Sequence, residues 1–168
     1  ILYVTLDTNT NTKRVAGGTV WIPTKAADGE RRVVAWAHPT VGLGNSCAPS
    51  RNPNALSLTS GWIQQMATEG WIVTATDYSG LGTPPPYTYL EGLQESTDVV
   101  NSVRAASQLP DARAGTRWGV FGHSQGGHSA LWTATLALKL APELDLVGAA
   151  AAAPASDLYA TINQQWNT

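Results

Sequence analysis

The chain has 168 residues, of which 43% are hydrophobic and only 13% charged, a balance that suits one globular domain with a real core and excludes a disordered chain. A formal charge of -2 without any basic cluster argues against a nucleic-acid partner, and no apolar run reaches membrane-spanning length. Cys47 is the only cysteine, so it is a free thiol or has its partner outside these residues.

Ile1 opens directly on strand-like sequence with no signal peptide in view. Tyr3–Leu6 and Gly18–Ile22 read as two strands, joined by the polar turn Asp7-Thr8-Asn9-Thr10-Asn11. Arg32–Ala37 is a third strand, and its unbroken apolar character predicts burial on both faces. A loop rich in Gly, Pro, Asn and Ser runs from His38 to Pro53. The spacing of Trp62, Ile63, Met66 and Ala67 predicts a helix over 56–68, stopped by Gly70. Trp71–Thr76 is the next strand, followed by Asp77-Tyr78-Ser79-Gly80-Leu81-Gly82 and the stiff Pro84-Pro85-Pro86. An amphipathic helix over Glu91–Leu109 turns Val99, Val100, Val103 and Ala106 inward and leaves Glu95 and Asp98 on a solvated or capping face. Arg117–Phe121 is a buried strand, Ser129–Leu140 a helix apolar around much of its girth, and Leu146–Ala152 a last strand. This alternation implies an α/β fold: a mostly parallel sheet with helices on both faces.

Between the Arg117–Phe121 strand and the helix after it stands Gly122-His123-Ser124-Gln125-Gly126-Gly127. A G-x-S-x-G turn between strand and helix is the nucleophile elbow of an α/β-hydrolase. The turn strains Ser124 and presents its hydroxyl above the sheet edge. Side chains at 122 and 126 would collide where strand and helix nearly touch. A glycine-rich βα turn without chemistry is the plain alternative.

Acyl transfer through serine needs a base, an acid to orient that base, and donors for the oxyanion. The N–H of Gln125, at a helix start, is the first candidate donor. The second belongs on the loop His38-Pro39-Thr40-Val41-Gly42. Pro39 has no N–H, which leaves Thr40 as the best candidate; a plain βα turn is again the alternative. The base is the difficulty. The chain holds only His38, His123 and His128, and none is placed to reach over the serine: a strand end, the variable elbow position, and one turn along the same helix. Asp157, after the last strand, is either the triad acid or a helix N-cap. Tyr78, Leu81, Pro84–Pro86, Tyr87 and Tyr89 form an apolar loop suited to line an acyl pocket or to pack on a lid. Asp77 reads as an Asx-type turn residue beside it, so Asp77 and Tyr78 are the candidate substrate-binding residues. No metal-ligand spacing and no phosphate-binding glycine loop occur, so no cofactor is expected.

Three segments together resemble the secretory lipases, a family of the α/β-hydrolase superfamily. They are Ala37–Ser50 with Cys47-Ala48-Pro49-Ser50; Asp77–Gly82 through Tyr89-Leu90-Glu91-Gly92; and the elbow with its helix, Ala141-Pro142-Glu143-Leu144 and the strand to Ala153-Pro154. One departure is Pro39, where the family often has glycine. The resemblance implies a secreted carboxylic-ester hydrolase acting on acylglycerols or simpler esters, and it puts the second oxyanion donor at the Thr40 position. It also implies that a lid and further strands, bearing the acid and the histidine, follow residue 168, and that the cysteine at the Cys47 position pairs with one in the lid. On that basis residues 1–168 are the N-terminal, six-strand part of a single hydrolase domain, whose partners are its ester substrate and its own remainder. The alternatives are an acyltransferase or peptidase on the same elbow, or a non-catalytic binding fragment.

Overall fold

A computed structural model describes residues 1–52 and 60–166. Strands β1 (Leu2–Asp7), β2 (Thr12–Trp21), β3 (Arg31–Ala37), β4 (Ile72–Thr76), β5 (Ala114–His123) and β6 (Asp145–Ala152) form one sheet in the order β1-β2-β4-β3-β5-β6. The β1–β2 and β2–β4 pairs are antiparallel, whereas β3 runs parallel to both β4 and β5, and β5 parallel to β6. The helices are α1 (Ser60–Thr68), α2 (Gly92–Ser107), α3 (Gln125–Leu140) and α4 (Leu158–Trp166). None of them is long and apolar enough to cross a membrane. The part of the expected first helix that falls on 56–59 lies outside the described residues.

Alternation along β3 divides the core in two. Val33, Ala35 and Ala37 face α2 and α3 and pack with Ile72, Val99, Val103, Trp118, Val120, Ala130 and Ala137. Val34 and Trp36 face the other way, onto Ile63, Val73 and Ala75, where Trp62 and Phe121 close around the Trp36 ring at 5.7 and 5.1 Å. Helices therefore cover both faces, as the strand–helix alternation requires.

Four elements differ from the sequence expectation. The second strand starts at Thr12, not Gly18, because Thr12–Gly17 pairs with β1 while Gly18–Trp21 pairs with β4. The Asp7 carboxylate, accepting from the N–H groups of Asn9 and Thr10, closes the shortened turn. Helix α3 starts at Gln125, four residues before the expected start, so two glycines are helical against their intrinsic preference. It is also less buried than its composition suggested, with Leu131, Trp132 and Leu138 at 43, 41 and 81% exposure. Helix α4 was foreseen only through the N-cap alternative for Asp157. Asp157 caps it, accepting from Ala160 N–H at 2.8 Å, and this is the N-cap reading of that residue.

The largest correction concerns α2. Glu95 and Asp98 are buried at 1 and 0% exposure, not solvated. The first half of the helix is wedged between β1, the loop after β4 and α3, so its polar stripe faces protein. Asp98 accepts from Thr5 Oγ1 at 2.7 Å, from both N–H and Oγ of Ser79 at 2.8 Å, and from Gln94 Nε2 at 3.0 Å. Burial still raises its pKa.

Candidate active site

Ser124 sits between the end of β5 and the start of α3 with φ 57° and ψ −117°. Such a conformation in a non-glycine residue costs about 1–3 kcal/mol and must be held by its surroundings. The restraints are visible. Ser124 N–H donates to Ala152 O on β6 at 2.9 Å, and Ser124 O accepts from His128 N–H at 3.0 Å and Ala155 N–H at 3.4 Å. Strand, elbow and helix approach so closely that a Cβ on Gly122 would collide with Gly126 O, and one on Gly126 with Ala37 O. The serine is half-buried and the preceding His123 exposed, and Ser124 follows directly on the C-terminal end of β5. Gln125 N–H is the first of a 16-residue helix and has no acceptor within it.

The side chain of Gln125 is almost wholly buried, at 1% exposure, and joins three other segments. Its Nε2 donates to Tyr87 Oη at 2.6 Å and to Glu95 Oε1 at 2.7 Å. Its Oε1 accepts from Thr40 Oγ1 at 3.3 Å, and Thr40 Oγ1 lies 2.8 Å from Tyr89 Oη. Thr40, on the loop after β3, is thereby tied to the residue that follows Ser124. Glu95 Oε1 also accepts from Leu90 N–H at 3.0 Å, while its Oε2 has no partner. Burial pushes the Glu95 carboxyl up to about 8, against the lowering effect of the Gln125 and Leu90 donors. Burial likewise raises the Tyr87 phenol.

Two of the histidines turn their rings to backbone carbonyls and not to Ser124. His38 is buried under the loop, with Nδ1 2.7 Å from Pro39 O and its ring 4.6 Å from that of Tyr78. Burial lowers its pKa, favouring the neutral ring. His128 turns Nδ1 to Ala155 O at 3.1 Å. No histidine ring nitrogen among the described residues is bonded to the Ser124 hydroxyl.

Asp77 and Tyr78, expected at the substrate, are both buried, at 2 and 1% exposure. The Asp77 carboxylate accepts from Ser50 N–H at 2.8 Å and from Ser50 Oγ, fastening the 49–51 turn to the end of β4. It forms no Asx turn; the Thr76 hydroxyl takes that place, accepting from Tyr78 N–H at 2.9 Å. Tyr78 Oη donates to His38 O at 3.3 Å. Asp77 thus ties the end of β4 to the 49–51 turn, and Tyr78 ties the segment after β4 to the end of β3. The aromatic loop divides: Tyr78 and Leu81 enter the core, whereas Tyr87 and Tyr89, with ring centres 6.2 Å apart, stand at Gln125 and Thr40. The Glu95–Gln125–Thr40 connection was not foreseen, since its members are 30 and 85 residues apart in sequence. Among the described residues no group of three His, Cys, Asp or Glu side chains is placed to hold a metal ion.

Known lipases are similar to the chain over most of its length. Lipase A of Moesziomyces aphidis is 28% identical over 156 residues, covering 84% of this chain and 32% of that protein. A Mycobacterium tuberculosis protein named "Probable inactive lipase" is 29% identical over 161 residues, covering 87% of this chain and 34% of its own length. The crystal structure of Candida antarctica lipase A superposes with a TM-score of 0.75 at 25% identity, covering 89% of this chain and 35% of that one. The chain therefore spans about a third of the length of the relatives it matches. The family model for secretory lipases matches residues 55–168, and the chain belongs to the secretory lipase family.

Proposed function

We propose that this chain carries the nucleophile and oxyanion donors of a secreted serine carboxylic-ester hydrolase, a lipase or esterase. The observation that carries the reading is the backbone of Ser124, held at φ 57° and ψ −117° between β5 and α3. Ser124 Oγ attacks the ester carbonyl carbon and its proton passes to a histidine. The tetrahedral oxyanion accepts from the N–H groups of Gln125 and Thr40. Collapse expels the alcohol, which takes the proton from the imidazolium and leaves an acyl-Ser124 ester. Water, deprotonated by the same histidine, then releases the carboxylic acid. The histidine and its acid lie in sequence beyond residue 168. Support for this comes from the engagement of His38 and His128 with backbone carbonyls and from the third of the relatives' length that is matched. Cys47, a free thiol among the described residues, pairs with a cysteine in the same missing portion.

The experiment is active-site titration of the native polypeptide that contains these residues, using a p-nitrophenyl alkylphosphonate and intact-mass detection. One adduct on Ser124, absent in Ser124→Ala, is the expected result. A folded protein that takes no adduct overturns the reading. It would favour a non-catalytic protein, the second reading, which the relative named as an inactive lipase makes specific. Transfer of the acyl group to an added alcohol in preference to water would mark an acyltransferase on the same elbow.

A further inference from the structure

An acidic side chain buried without a cation is costly, and Glu95 is such a group: 1% exposed, with one oxygen unpartnered and no basic residue bonded to it among the described residues. Packing does not require it there, because Leu or Met would fill the same volume. What it supplies is an acceptor at one point. The Gln125 amide has two N–H groups and one oxygen, and its orientation follows from its partners. With Glu95 Oε1 and Tyr87 Oη drawing the amide nitrogen to 2.7 and 2.6 Å, the amide oxygen is turned outward to Thr40 Oγ1 at 3.3 Å. Thr40 spends its single hydroxyl proton on that oxygen, so the 2.8 Å contact to Tyr89 Oη is one in which tyrosine donates. The hydrogen bonds thus run in one direction, from Tyr89 through Thr40 to Gln125 and from Gln125 to Glu95.

We propose that Glu95 is a positioning residue for the oxyanion site: it fixes the Gln125 amide, which in turn holds Thr40 and its N–H against the elbow. This rests on the serine-hydrolase reading and adds to it a residue that touches neither substrate nor nucleophile. Oxyanion donors act only when they stand at hydrogen-bond distance from the developing charge, so a loosened Thr40 loop lowers turnover more than binding.

The test uses the native polypeptide and a short-chain p-nitrophenyl ester, with kcat and KM measured separately. Glu95→Leu and Gln125→Leu each lower kcat by about 10- to 100-fold with KM within about twofold, and the double variant is no slower than the worse single one. Glu95→Gln, which keeps an acceptor oxygen, returns kcat to within about threefold of wild type. Should Glu95→Leu fail to fold, Thr40→Val decides: it keeps the N–H, removes only an exposed hydroxyl, and lowers kcat by about 10-fold. An unchanged kcat in Glu95→Leu or Thr40→Val, or losses that multiply in the double variant, overturns the positioning role while wild-type phosphonate labelling leaves the hydrolase reading standing. A wild-type protein that takes no phosphonate overturns both.

Discussion

Replacing Glu95 with glutamine makes the stability of the protein less dependent on pH, in a direction and amount that the structure sets. The Glu95 carboxyl is lifted by burial from 4.5 to about 8 in the folded protein. Between those values the unfolded chain has released the proton and the folded chain still holds it. The folded state therefore binds more protons, and stability falls as pH rises. The contribution is fully present below about 4.5 and gone above about 8. At about 1.4 kcal/mol for each pH unit between the two values, the loss comes to about 5 kcal/mol. Glutamine has no proton to lose. Its stability relative to wild type should therefore climb by about 4 kcal/mol between about pH 5 and about pH 8.5. Asp98 is shifted in the same direction, but it is present in both proteins and drops out of the difference. Urea unfolding of the pair at several pH values measures this directly. Parallel stability curves would mean that the carboxyl ionises as readily as one in water, and the argument from its burial would fail.

Gly126→Ala drives a methyl group into Ala37 O, so we expect a loss of at least about 3 kcal/mol or no soluble protein, read by thermal melting. Asp98→Ala strands the donors of Thr5, Ser79 and Gln94 in the interior and should cost about 3–5 kcal/mol by the same method. Thr133→Val removes a fully buried hydroxyl that has no partner and should leave stability unchanged or raise it by about 1 kcal/mol. A loss beyond about 1 kcal/mol in that variant would show that the hydroxyl is bonded after all.

What could be read from the sequence was local. The elbow is contiguous, and its glycines report a close approach that any such turn must make, so Ser124 and Gln125 N–H follow from six residues. The strands that carry the site, β3, β4 and β5, are unbroken apolar runs. By contrast, Gln94, Glu95 and Asp98 recur at the spacing of a polar helical stripe, and nothing in that stripe says whether water or protein faces it. The answer depends on Thr5, Ser79 and Gln125, brought in by β1, the β4 turn and α3 from 93, 19 and 30 residues away. Gly126 and Gly127 lie in the first turn of α3 despite their poor helix propensity, where Cβ atoms would strike Ala37 O and Ala152 O, so close packing and not propensity decides the residue type there. Asp77 failed as an Asx-turn residue for a related reason. Its carboxylate is claimed by Ser50, and the neighbouring Thr76 closes the turn.

Ser124 is hooked by its own amide to Ala152, on a strand that pairs only with β5 among the described residues. The backbone of Ser124 is therefore anchored on two strands at once, continuing β5 and bonded to β6, so any displacement of Ala152 along the sheet is passed to Ser124 through a single hydrogen bond.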